Sequence, residues 1–327
     1  MKRRSFIALF GTAATAMLFI ASARSTSAQG RPHISILHSG FPNRTPIQHL
    51  FAALRELGYE DGRTAAIELL AGEGEVDRLN TLVTQLAAQR PDVIIALTPP
   101  AVLAIKRAGL TSPVVFAFVS DPIALGIVES LARPGGNFTG MTYSTAQLGA
   151  KRLELLMDAL PDTRLVAVIW SAAFADNAAI LDSIRRSASA LGVGIASREL
   201  RGVDDLGKAF DDAARTGAQA VIFMTDNALF GRRKEIAVLA LAHRLSSIHS
   251  FPQEVEDGGL MSYGPDLDES YRRSAALTDK ILKGARPADL PVEEPTRFTL
   301  AVNTATAKSL GVVLPPSILI RADEVIE

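Results

Sequence analysis

A chain of 327 residues without a single cysteine has no disulfide framework, no thiolate metal site and no thiol to carry a lipid. Its 34 basic and 35 acidic residues leave a formal net charge of −1, a balance that does not attract nucleic acid. The length suits two compact domains of ordinary size.

The N-terminus has the order of an export signal: Lys2, Arg3 and Arg4, then an apolar run over residues 6–23, then the small-residue stretch "STSA" ending at Ala28. Residues 1–28 are expected to be a signal peptide cleaved after Ala28. Its loss removes Lys2, Arg3, Arg4 and Arg24 and no acid, for a net charge of about −5. Gly11, Thr12 and Thr15 interrupt the run, which barely reaches the ~30 Å of a bilayer core; a retained anchor is the competing reading. "RRSFI" (3–7) also fits a twin-arginine signal, with Lys2 where that pattern prefers Ser or Thr, so the export route stays open. The expected location is the periplasm.

Apolar, strand-like runs follow at residues 34–38, 65–70, 92–97, 114–119 and 138–143, with helical patterns between them. A second cycle has strands at 164–170, 192–200, 218–224 and 245–251, separated by amphipathic helices such as 176–191 and 204–216. Strand alternating with helix predicts parallel sheets, here in two similar units in series. Three Gly- and Pro-rich stretches break the rhythm at 132–143, 257–266 and 284–298, as a chain crossing three times between two lobes requires.

"SLARPGGNFTG" (130–140) places a glycine pair where a phosphate-binding loop could be suspected. Such a loop follows a strand and opens a helix. Here the order is reversed: a predicted helix over 122–131 is stopped by Pro134, Gly135 and Gly136 permit positive φ, and a strand follows. The pair is therefore expected to serve backbone geometry.

The stretches "SDPIALGIVESLARPGGNFTG" (120–140), "GGLMSYGPDLDESYRR" (258–273) and the segment 281–327, from "ILKGARPADLPVEEP" to the end, resemble the substrate-binding proteins of ABC transporters. The resemblance is to the type I family whose better-understood members bind tryptophan, tyrosine or phenylalanine. It implies an α/β fold of two Rossmann-like lobes with parallel sheets joined by three crossovers, the type I periplasmic binding protein fold. Lobe 1 is expected to comprise 29–142 plus 264–288, and lobe 2 143–263 plus 289–327. The implied activity is capture of a small molecule between closing lobes, without catalysis and without a cofactor, by a monomer that works with an ABC permease and its ATPase in the inner membrane.

Ligands of open parallel sheets sit beyond the carboxyl ends of the strands. In "ALTPPA" Thr98 is a predicted helix cap with Pro99 at the first helical position, and "VSDP" repeats the device with Ser120, Asp121 and Pro122. Two helix N-termini with hydroxyls suit a carboxylate, while plain capping is the competing reading. In "MTDNALF" Asp226 and Asn227 end an apolar strand, where Asp226 could pair with a ligand ammonium; Ser250, Phe251 and Glu254 of "HSFPQE" are a second acidic option. Phe41, Trp170, Phe174, Phe230, Phe251 and Tyr263 fall near these loops and suit an aromatic or flat ligand, although aromatic side chains are more often core.

Two other classes remain open at this level. A sensory protein that presents its ligand to a membrane receptor would use the same module. An exported hydrolase or transferase has no supporting motif: His33, His38, His49, His243 and His249 form no metal-binding spacing, and "WSAAF" is not a nucleophile elbow.

Overall fold

The computed structural model describes residues 30–42, 46–143, 146–171, 177–224 and 227–327. The expected signal peptide lies outside them. The chain order is β1 (His33–His38), α1 (Gln48–Glu56), β2 (Ala66–Ala71), α2 (Val76–Gln89), β3 (Val93–Ala96), α3 (Pro99–Arg107), β4 (Val114–Val119) and β5 (Phe138–Thr142). There follow α4 (Ala146–Ala159), β6 (Leu165–Ser171), α5 (Asn177–Leu191), β7 (Gly194–Leu200), α6 (Leu206–Arg215), β8 (Ala220–Phe223), α7 (Asn227–Phe230), α8 (Arg233–Ala242) and β9 (Ser246–His249). The last elements are α9 (Pro252–Glu256), β10 (Met261–Pro265), α10 (Leu267–Leu282), β11 (Phe298–Asn303), α11 (Thr304–Leu310), α12 (Pro316–Arg321) and β12 (Glu324–Ile326).

The first five strands form a wholly parallel sheet in the order β2-β1-β3-β4-β5. The other seven form a second sheet, β12-β11-β10-β9-β8-β6-β7, parallel except where β10 meets β11. Its run β7-β6-β8-β9-β10 repeats the winding of the first sheet. The expected α/β fold with two mostly parallel sheets is thus the observed one.

Why the strands read as unbroken apolar runs is clear from what covers them. On the first sheet Ile34, Ile36 and Ile95 pack under α1 and α10, through Leu50, Leu54 and Ala275. The opposite face, with Leu37, Ile94 and Phe116, packs under α2 and α3. The second sheet is likewise covered by α4 and α5 on one side and α6 and α8 on the other. Helix α10 is remote in sequence from the sheet it covers, so the chain must return after β10.

Three crossings result: after β5, after β10, and between Val292, which packs with the first sheet, and β11 in the second. They are tied to one another. Thr142 N–H donates to Glu293 O (2.8 Å), Glu293 N–H donates to Gly140 O (2.9 Å), and Asp266 N–H donates to Arg297 O (3.1 Å).

One predicted element is absent. Residues 122–131 form a series of turns and no helix. Gly126 takes a left-handed φ of +62°, and Lys106 Nζ donates to the Leu125 carbonyl (3.1 Å), so a residue of α3 takes up an acceptor that a helix would have used. The glycine pair divides in role. Gly135 has φ +82°, and a Cβ there would lie 2.5 Å from Glu129 Cδ; Gly136 has ordinary φ and open space. Gly135→Val is expected to cost about 1–3 kcal/mol, and Gly136→Val well under that. Urea unfolding of both variants checks this, and equal losses would count against it.

Candidate functional site

In each sheet the winding reverses between the first and third strands of the unit, at β1/β3 and at β6/β8. Helices there leave on opposite faces, and the carboxyl ends of the strands open a crevice. At the first reversal Thr98 caps α3, accepting Ala101 N–H at 3.4 Å, as the sequence predicts. Its hydroxyl also accepts Ser39 N–H (3.2 Å) and donates to Ser39 Oγ (2.8 Å), and the residue is fully buried. Thr98 therefore spends its hydrogen-bonding capacity inside the protein, and the half-buried Ser39 is the polar group next to it.

His38, at the end of β1, is 2 % exposed, and burial pushes its imidazole down to about 4. Gly40 N–H donates to its Nδ1 at 2.9 Å, so that nitrogen carries no proton and the neutral ring shapes the turn that presents Ser39. The same turn is anchored from β2's side by Gly72 N–H to His38 O (2.8 Å) and Gly74 N–H to Ser39 O (2.9 Å).

At the second reversal Ser171 ends β6, and its carbonyl accepts from Asn177 Nδ2 (2.7 Å). The expected site residues Phe174 and Asp226 lie outside the described residues. Asn227 opens α7, four residues long; its side chain is likewise outside them. Phe230, at the end of α7, meets Phe251 edge-on at 5.6 Å, and Arg233 lies over the Phe230 ring at 4.8 Å. Phe251, just beyond β9, meets Tyr143 at 6.1 Å. Tyr143 belongs to the other sheet's end, since its N–H donates to Val119 O (2.9 Å). That ring contact joins the carboxyl ends of the two sheets in an aromatic cluster, in which Phe230 is buried and Tyr143 and Phe251 are half-buried.

Behind it sits Arg152 of α4, 3 % exposed. Its Nε donates to the Tyr263 carbonyl (2.7 Å) and its Nη2 to Tyr143 Oη (3.4 Å). Ser250 is buried, and the Ser250 and Phe251 N–H groups both donate to Glu254 Oε2 (3.0 Å each). Glu254 is fully buried and lies 3.5 Å from His249 Nδ1. In the structure this carboxylate, the second acidic option, holds the Ser250 turn.

The remaining expected residues fall as follows. Phe41 is half-buried just past β1, and Ser120 is half-buried just past β4. Asp121 is exposed, and its carboxylate accepts Ala124 N–H (2.8 Å), which caps a turn where a helix was predicted. Tyr263 stacks on Phe298 at 5.9 Å. Trp170 bonds through Nε1 to Ser197 Oγ (2.9 Å) between β6 and β7. The structure thus brings Thr98 to Ser39, and Ser250, Tyr263, Phe230 and Phe251 to Arg152 and Tyr143. Ser39, Tyr143 and Arg152 are absent from the sequence-based set. For Arg152 a signal existed: Leu148, Leu155, Leu156 and Ala159, at i−4, i+3, i+4 and i+7, are all buried, so the arginine stands on the apolar stripe of its helix.

A separate cavity of about 620 Å³ lies beside the second and third crossings, lined by residues that include His49, Asp266, Asp268, Arg297 and Phe298 and by none of the expected site residues. Among the described residues no helix is long and apolar enough to cross a membrane.

The family of ABC transporter substrate-binding proteins matches residues 42–326. A tyrosine-binding protein of Clostridioides difficile (strain R20291) is 24% identical over 260 residues, covering 79% of this chain and 74% of the relative. A conserved domain protein from Vibrio cholerae superposes with a TM-score of 0.84 at 22% identity, over 90% of this chain and 100% of that one. An ABC domain from Streptococcus pneumoniae in complex with L-Trp gives 0.83 at 23% identity, over 91% and 100%.

Proposed function

The chain belongs to the family of ABC transporter substrate-binding proteins, and from that premise we propose that its ligand is an amino acid with an aromatic or apolar side chain, delivered to an ABC permease and ATPase. Membership carries a solute-binding role, a small-molecule ligand and a permease partner; it is not an enzyme class. The observation that carries the finer reading is the aromatic cluster of Tyr143, Phe230 and Phe251 at the junction of the two sheet ends. Such a cluster takes up a flat apolar side chain and excludes water from the polar contacts beside it. The tyrosine-binding relative and the L-Trp complex support the choice of ligand class.

In this reading Asp226, directly before α7, holds the ligand ammonium, and the Ser39–Thr98 pair forms the facing wall. Residues 1–28 act as the export signal, and the protein works as a periplasmic monomer. Titration calorimetry with aromatic, aliphatic and polar amino acids and their N-acetyl forms tests it. Free aromatic or apolar amino acids are expected to bind, N-acetylation to weaken binding, and Asp226→Asn to weaken it by at least about tenfold. Equal affinity for free and blocked amines would sink the ammonium contact at Asp226 and leave the solute-binding role standing.

A further inference from the structure

We propose that Arg152 receives the carboxylate of the ligand. The proposal deepens the amino-acid reading above and rests on it for the ligand's identity. An arginine that is 97% removed from solvent as a residue is costly to bury and is ordinarily paired with a carboxylate. Arg152 has none: among the described residues no Asp or Glu forms an ion pair with it, and its two hydrogen bonds go to a backbone carbonyl and a tyrosine hydroxyl. Both partners are neutral, and Nη1 has no hydrogen bond to a described residue. Among the described residues, then, the guanidinium is held in place by a carbonyl and a hydroxyl, with no carboxylate paired to it.

Its position supplies the second half of the argument. Through Tyr143 the guanidinium adjoins the ring that meets Phe251, so it stands at the edge of the aromatic cluster where the two sheet ends join. Tyr263 O, which fixes Nε, lies in β10, just before the second crossing, and Tyr143 follows β5 in the first, so the fork is oriented from both. An anion arriving at Nη1 and Nη2 would meet a planar pair of donors already aimed, the arrangement that selects carboxylates. The residue first expected to take this role, Thr98, is fully enclosed with its hydroxyl spent on Ser39 and Ala101.

The test uses the whole protein and four probes: L-tryptophan, L-tryptophanamide, indole-3-propionate and tryptamine. Wild type is expected to bind tryptophan at least about 30-fold more tightly than its amide. In Arg152→Met, with its circular dichroism unchanged, the ratio is expected to fall to about threefold or less; in Arg152→Lys, which keeps charge but not the fork, it is expected to lie between. A merely structural arginine would weaken acid and amide together and leave the ratio alone. If the methionine variant does not fold, the lysine variant carries the test, and a full wild-type ratio there overturns the proposal. Tryptophan binding without an acid preference in wild type, or with one that survives in a folded variant, overturns the role of Arg152 and keeps the aromatic amino-acid ligand. Binding of indole-3-propionate over tryptamine, dependent on Arg152 and without binding of tryptophan, keeps Arg152 and overturns the amino-acid reading. If none of the four binds wild type, L-tyrosine and L-leucine with their amides take their place, and no binding of these either overturns both.

Discussion

Gly264→Ala is expected to destabilise the protein by about 3 kcal/mol and to disorder the turn at Ser250. A Cβ at this position would stand 2.0 Å from Ser250 O and 3.2 Å from Ser250 C. The obstacle is backbone, not a side chain that could rotate away, and neither strand can retreat freely. Strand β10 is registered on β9 through Met261 with Ile248 and Ser262 with His249, while Ser250 and Phe251 are pinned by Glu254. Accommodating one methyl group means prising the end of β10 from the end of β9. Tyr263 O would move with it, and with Tyr263 O goes the bond that orients Arg152. Stability by urea unfolding and the near-UV dichroism of the aromatic group measure the effect; an alanine variant with both unchanged would show that the strand ends are looser than the geometry says.

That glycine illustrates what the sequence does and does not carry. The stretch "DGGLMSYGPD" is legible as an interruption because Gly and Pro punctuate it, and the apolar run before it, 245–251, is legible as a strand because helices cover both faces of its sheet. Strand order is a different matter: β2-β1-β3-β4-β5 depends on which edges pair, and nothing in a run such as "VIIA" names its neighbours. The predicted helix over 122–131 fails for a tertiary reason, since Lys106 reaches across from α3 to the Leu125 carbonyl and Gly126 turns left-handed. The site shows the same division. Thr98 reads correctly as a cap because capping is local, three residues from donor to acceptor. That its hydroxyl is consumed by Ser39, 59 residues away, is a fact of the fold. Arg152 sits between these cases, because its place on the apolar stripe of α4 is periodic and could be read, whereas its two partners, Tyr143 just past β5 and Tyr263 in β10, are 9 and 111 residues away in different sheets.

Acid is expected to weaken the protein through His38. The imidazole titrates at about 4 in the folded chain against about 6.5 in an exposed one, because it is buried at the end of β1. Between those values the unfolded chain binds a proton that the folded chain refuses, so stability rises with pH across this window. The contribution is constant above about pH 6.5 and is lost as the pH falls toward 4, to a total on the order of 3 kcal/mol. The structural consequence is local: protonated Nδ1 can no longer accept the Gly40 N–H, so the turn carrying Ser39 beside Thr98 loses its brace. His38→Asn isolates the effect, since an amide oxygen can stand in for Nδ1 as the acceptor but does not titrate. Urea unfolding of both proteins from pH 7.5 to 4.5 gives two slopes, and carboxylates common to both cancel in their difference. Wild type is expected to lose more stability than the asparagine variant on acidification, with the excess confined to pH below about 6.5. Parallel slopes would mean that His38 takes up its proton without disturbing the fold, and the turn at Ser39 would then have to be held by its bonds to Thr98, Gly72 and Gly74 without the Gly40 brace.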